Sequence, residues 1–104
     1  MCSIFGLISL SNKFNTSELL EQCKLASNTM IYRGPDNSGI YNYKNTYLAH
    51  NRLSIIDLRR IANQPMLSED NKNVLIFNGE IYNHNQLSTA FTQLGTLSDT
   101  EVLL

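Results

Sequence analysis

A cysteine in second place, followed almost at once by an apolar run, is the strongest constraint on this chain. Met1-Cys2-Ser3-Ile4-Phe5-Gly6 leads into Leu7-Ile8-Ser9-Leu10, and Ile4 to Leu10 is rich in β-formers. The run reads as a strand largely buried on both faces. With Met1 removed, Cys2 carries a thiol and a free α-amine on the same residue. The unperturbed amine titrates at roughly 7.7–8.0 and the thiol at about 8.5. Near neutral pH the amine can take the thiol proton, directly or through a water, which puts nucleophile and base together. The plain alternative is an initiator methionine followed by an arbitrary small residue at the start of a buried strand.

A chain of 104 residues is enough for one small domain with a thin core. Apolar content of 42% and charged content of 16% fit a soluble globular domain. With a formal net charge of −1, there is no basic excess for nucleic acid and no charge block for a membrane surface. Cys2 and Cys23 are the two cysteines, with no CxxC and no His/Cys cluster at metal-ligand spacing, so no metal is expected. Nothing approaches the ~18 apolar residues of a membrane span, and the N-terminus lacks the pattern of a signal peptide. A cytoplasmic, reducing compartment is the expectation.

Ser11-Asn12-Lys13-Phe14-Asn15 breaks the first strand, and Thr16 or Ser17 can cap a helix. Leu19, Leu20, Cys23, Leu25, Ala26 and Met30 fall at helical spacing, with Cys23 as a small core residue. Arg33 to Gly39 holds two glycines and a proline and demands a loop. Ile40–Tyr43 and Thr46–His50 read as a hairpin turning at Lys44-Asn45. Residues 61 to 73, broken by Gln64-Pro65, read as a long surface loop. Asn73–Phe77 is the clearest strand, and Asn78-Gly79 signals a tight hairpin into a second strand at Glu80–Asn83. Gln86–Phe91 reads as a helix. Ser98 or Asp99 caps a last one that begins at Val102. The order predicts an α+β domain with mostly antiparallel strands.

Four polar clusters interrupt the apolar runs: Arg33 to Gly39, His50 to Ser54, Asn78 to His84, and Ser98 to Glu101. They fall at element ends, where sites are carried. Each also has an ordinary structural reading: Arg52 as a surface residue, Asn78-Gly79 as a plain turn, Asp99 as a helix cap.

Taken together the clusters resemble a family. Cys2-Ser3-Ile4-Phe5-Gly6, Arg33-Gly34-Pro35-Asp36, His50 with Arg52-Leu53-Ser54-Ile55-Ile56-Asp57-Leu58, Gln64-Pro65-Met66, Asn78-Gly79-Glu80-Ile81-Tyr82-Asn83-His84, and Ser98-Asp99 with Glu101 resemble the class II glutamine amidotransferase domain. The Arg-Gly-Pro-Asp loop points to its asparagine synthetase branch. The resemblance runs from residue 2 to residue 104.

The resemblance implies an N-terminal nucleophile fold, an αββα sandwich of two antiparallel sheets, of which residues 1–104 make the first half. It implies hydrolysis of L-glutamine to glutamate and ammonia, for asparagine biosynthesis. It assigns Cys2 as nucleophile, with its own α-amine as base. Asn78 and the Gly79 N–H become the oxyanion hole, and one such donor can be worth ~3–4 kcal/mol of barrier. Gly79 is also expected to allow the backbone geometry that aims this N–H inward. Arg52 becomes the clamp on the substrate carboxylate, a task that suits a guanidinium. Asp99, with Glu80, takes the substrate ammonium, and the backbone of Leu53, Ser54, Ile55 and Ile56 lines the pocket. His50 and His84 are taken as structural, and Arg33 and Asp36 as holding their own loop.

The family's domain is considerably longer than this chain. No Gly-rich phosphate loop occurs, so ATP and magnesium are expected only in a synthetase domain outside these residues. L-glutamine is the expected ligand, with a synthetase chain or a second copy as the expected protein partner. The competing reading is a glutamine-binding module that holds its ligand without turning it over.

Overall fold

The computed structural model describes residues 1–11, 13–91 and 93–104, so Asn12 of the expected first turn lies outside the described residues. The strand β3 (Thr46–Arg52) runs through the middle of a three-stranded antiparallel sheet. β1 (Ser3–Ile8) flanks it on one side, with Ser3 opposite Asn51 and Ile8 opposite Thr46. β2 (Asn37–Tyr43) flanks it on the other, with Asn37 opposite Arg52 and Tyr43 opposite Thr46. The β2–β3 hairpin turns at Lys44-Asn45 as expected, with Lys44 at φ 52°. Its strands are longer than the sequence reading, and Asn37 to Gly39 of the expected loop pair as strand.

One helix, α1 (Thr16–Asn28), covers one face of this sheet. Its cap is Asn15 rather than Thr16 or Ser17. The Asn15 side chain accepts the Glu18 N–H at 2.9 Å, and the Glu18 carboxylate accepts the Asn15 N–H at 3.0 Å. This reciprocal box satisfies two of the donors that a helix start leaves open. Cys23 from α1 packs with Tyr47 and Ala49 of β3, and Phe5, Leu7, Leu19 and Leu20 close around them. Burial pushes the Cys23 thiol pKa up, as befits an inert core residue. The other face of β1 is open: Ile4 is 45% and Ile8 64% exposed. The reading of β1 as buried on both faces is therefore corrected, because α1 covers one side only.

β4 (Met66–Leu67) and β5 (Val74–Leu75) form a separate two-stranded antiparallel sheet. The stretch expected as a long surface loop is partly core: Ala62, Gln64 and Met66 are buried. The expected strand at Asn73–Phe77 is cut to two residues, and Glu80–Asn83 forms no strand, so Asn78-Gly79 is not a hairpin turn. The reason lies in where the backbone polar groups find partners. The Phe77 N–H is accepted by the Gln64 side chain, the Phe77 carbonyl faces His50, and the Ile81 N–H is accepted by Asp99. Side chains here replace a neighbouring strand. α2 spans His84–Ser88, nearer the N-terminus than expected, and Glu101–Leu103 forms a single 3-10 turn with no side-chain cap. The result is an α+β arrangement of helices and antiparallel sheets.

Candidate active site

Cys2 stands immediately before β1, and two neighbours, Arg33 and Leu53, hold it there. The Arg33 Nε–H donates to the Cys2 carbonyl at 3.3 Å. Cys2 Sγ accepts the Leu53 N–H at 3.4 Å and lies 3.7 Å from the Leu53 carbonyl. Ser3, the next residue, is fixed from below. Buried Asn51 donates to the Ser3 hydroxyl at 3.0 Å and to the Ser27 carbonyl at 2.8 Å, and accepts from the Ser27 and Ser38 hydroxyls. Its amide is saturated, which makes a rigid polar joint between all three strands and α1. The Arg-Gly-Pro-Asp loop holds more than itself. Besides Arg33 on Cys2, the Asp36 carboxylate accepts the Ser54 N–H at 2.7 Å. A Cβ on Gly34 would collide with the backbone of Asn51 and Arg52, so only glycine allows this approach.

Cys2 opens onto a cavity of about 330 Å³, within the lower range for small-ligand sites. Of the ten residues singled out in the sequence, nine line it: Cys2, Arg52, Leu53, Ile55, Ile56, Asn78, Gly79, Glu80 and Asp99. Ser54 does not; it faces a neighbouring hollow with Asp36 and Arg60. Gly79 has no positive φ, so the expectation that it supplies an unusual backbone conformation is corrected. Its requirement is space, since a Cβ would stand 2.7 Å from the Phe77 ring.

The cavity has a cationic and an anionic group on its wall. Arg52, 6% exposed, gives its guanidinium N–H groups to the carbonyls of Asp57 and Arg59 and to Asn63 Oδ1, all neutral acceptors. Asp99, also 6% exposed, accepts the Ile81 N–H at 2.9 Å. Neither makes an ion pair among the described residues. A buried charge without a counter-ion is costly, so each favours a ligand group of opposite sign. The wall can therefore receive a molecule bearing both a carboxylate and an ammonium.

Three residues that sequence reasoning left out support this wall. Asp57 is buried; its carboxylate binds Arg59 and accepts the Leu97 N–H at 2.8 Å, while its carbonyl holds Arg52. Gln64 lines the cavity and bridges Phe77 to Thr100. His50, expected as structural, is fully buried with Nε2 3.2 Å from the Phe77 carbonyl. A carbonyl only accepts, so Nε2 carries the proton. Their side chains meet residues far away in the chain, a contact no local pattern reveals. Among the described residues no group of three or more His, Cys, Asp or Glu could hold a metal ion, and no helix is long and apolar enough to cross a membrane.

These groups set an acid limit. Hydrogen bonds from Arg59, then from the Leu97 N–H, hold the Asp57 carboxyl well below the usual carboxylate range. Burial, with Arg52 nearby, pushes His50 down against the weaker raising effect of Phe77. Both groups bind protons more readily unfolded, so both contributions exist above the unfolded pKa and are lost as pH falls through the folded one. Stability is expected to fall in two stages, from about pH 6.5 downward through His50 and below about pH 4 through Asp57. Urea midpoints measured across pH check this, with Asp57→Asn flattening the lower limb. A midpoint that rises between pH 7 and 5 would contradict it.

Comparisons with known proteins place the chain in a family. A family model described as a glutamine amidotransferase domain matches residues 1–104. The glutamine-hydrolysing asparagine synthetase B of Escherichia coli strain K12 is 45% identical over 107 residues, covering 100% of this chain and 19% of that protein. Glutamine-hydrolysing asparagine synthetase 2 of Oryza sativa subsp. japonica is 38% identical over 110 residues, covering 99% of this chain and 17% of that protein. Glutamine-hydrolysing asparagine synthetase 1 of Bacillus subtilis strain 168 is 36% identical over 108 residues, covering 100% and 17%. The chain thus spans less than a fifth of the length of these curated relatives.

Proposed function

Because the chain belongs to the glutamine amidotransferase domain family, we propose that it is the glutaminase portion of an asparagine synthetase-like enzyme. It hydrolyses L-glutamine to glutamate and ammonia for asparagine synthesis. The observation that carries this is that one cavity gathers Cys2, Asn78 and Gly79 with the charges of Arg52 and Asp99, neither of them in an ion pair among the described residues. Arg52 takes the substrate carboxylate with paired hydrogen bonds, and Asp99, with Glu80, takes the ammonium. The zwitterion is then held while its side-chain amide reaches Cys2 Sγ, replacing a chance encounter with a fixed one.

Cys2 Sγ bonds to the amide carbon as the α-amine takes the thiol proton. The developing oxyanion is received by the Asn78 side-chain amide and the Gly79 N–H. The tetrahedral species collapses, the carbon–nitrogen bond breaks, and the proton leaves with ammonia. Water then attacks the thioester, giving its proton to the amine, and the thiol is regenerated as glutamate departs. The α-amine exists only once Met1 is removed. Met1 is 74% exposed and open to an aminopeptidase.

In this reading residues 1–104 are part of a type-2 amidotransferase domain of the N-terminal nucleophile kind. A second sheet stacks on the open face that carries Ile4 and Ile8. ATP and magnesium act in a synthetase portion outside these residues, which takes up the ammonia, and the protein works in the cytoplasm.

A second reading has its own observation: with Met1 attached the Cys2 nitrogen is an amide and no base. Such a chain binds glutamine without turnover. Incubating Met1-free protein, checked by intact mass, with L-glutamine is expected to release glutamate and ammonia in equal amounts. 4-Aminobutanamide, which lacks the α-carboxylate, is expected to be consumed at least about tenfold less efficiently, the weight of one charged hydrogen-bonded contact. Equal turnover of the two compounds would exclude the Arg52 clamp. Glutamine binding without release by the processed protein would exclude the glutaminase reading and leave a glutamine-binding module.

A further inference from the structure

Phe77 immediately precedes the Asn78–Gly79 pair, and neither of its backbone polar groups joins a strand ladder. Its N–H is accepted by Gln64 Oε1 at 2.5 Å. Its carbonyl, part of the peptide that carries the Asn78 nitrogen, accepts from His50 Nε2 at 3.2 Å. The Gln64 amide can point only one way. The Phe77 N–H needs an acceptor, so Oε1 faces it and Nε2 is left to donate to Thr100 Oγ1 at 3.2 Å. Gln64 is 6% exposed and Thr100 3%. Both ends of the amide are therefore fixed away from water, where a hydrogen bond is strong and a missing one costly.

We propose that Gln64 is a positioning residue for the oxyanion donors. Anchored on Thr100 and helped by His50, it clamps Phe77 so that the Asn78 side chain and the Gly79 N–H already face the cavity before substrate arrives. A two-residue strand such as β5 cannot aim them alone, because its ladder ends at Leu75. Donors aimed in advance need no reorganisation as charge develops, which is the condition under which they lower a barrier. The Thr100 anchor also ties this clamp to the Asp99 turn, so the oxyanion end and the ammonium end of the cavity share one support.

The inference rests on the glutaminase reading for its kinetic consequence but not for its structural one. The test uses Gln64→Leu, which removes both contacts at similar size, and Gln64→Glu, which keeps an acceptor for Phe77 and can accept from the Thr100 hydroxyl. Gln64→Leu is expected to lower kcat about tenfold or more with KM changed far less, and Gln64→Glu to recover most of that loss. Amide exchange at Phe77 is expected to quicken by a similar factor in Gln64→Leu while α1 amides stay unchanged. A Phe77 amide that exchanges at the wild-type rate, or α1 amides that quicken equally, would overturn the proposal. So would kcat and KM changing together. If the wild-type protein fails to hydrolyse glutamine, the glutaminase reading falls, and exchange at Phe77 still decides the positioning claim.

Discussion

Cys2→Ala is expected to reduce glutamate release to background, a loss of more than about 10⁴-fold, while glutamine still binds. The two halves of the expectation have separate physical causes. The proposed reaction needs a sulfur to form the thioester, and alanine has none. Under the proposed function, binding rests on Arg52 and Asp99, which are fixed by Asp57, Arg59, Asn63 and Ile81 and not by the thiol. Among the described residues Sγ hydrogen-bonds only with Leu53, so its removal leaves the supports of Arg52 and Asp99 in place. Glutamate release and calorimetric titration with L-glutamine check both halves. Undiminished release would remove Cys2 from the mechanism, and lost binding would place the thiol among the groups that hold the ground state.

Asn78→Ala is expected to lower kcat by roughly 10²–10³-fold with little change in KM, the cost of deleting one oxyanion-hole donor. The Asn78 side chain lines the cavity without a hydrogen bond to the protein among the described residues, so its truncation disturbs no support. The Gly79 N–H remains, which is why the loss is partial. Gly79 itself is a poorer test, because a Cβ there meets the Phe77 ring and moves the clamp as well as the donor. Steady-state kinetics separate the cases: a rise in KM at constant kcat would mean that Asn78 binds the ground-state amide, not the oxyanion.

The elements legible in the sequence were those with local causes. The helix α1 follows from its apolar spacing, and even its start is written in Asn15 and Glu18, three residues apart, although the hydroxyls of Thr16 and Ser17 suggest a cap one or two places further in. The β2–β3 hairpin follows from two apolar runs around Lys44-Asn45. The errors share one cause. At Asn73–Asn83 a strong strand and a strong turn signal predicted a hairpin, yet Phe77 and Ile81 found partners in Gln64, His50 and Asp99. Local propensity loses where distant side chains satisfy the backbone better than a neighbouring strand can. The same competition took Asp99 away from the capping role its sequence context suggested.

Residue identity alone supplies the chemistry on offer: a thiol at position 2, an Asn-Gly pair, a guanidinium and a carboxylate. Tertiary structure decided what those groups can do. It buried Arg52 and Asp99 on one wall with no counter-ion among the described residues, so that their charges call for a ligand. It also replaced a strand ladder at Phe77 with a side-chain clamp. Both depend on contacts between residues distant in the chain, and those exist only once the sheet has closed. The opening cysteine becomes a candidate nucleophile because β3, the Arg-Gly-Pro-Asp loop and the Gln64 bridge assemble a cavity at its side.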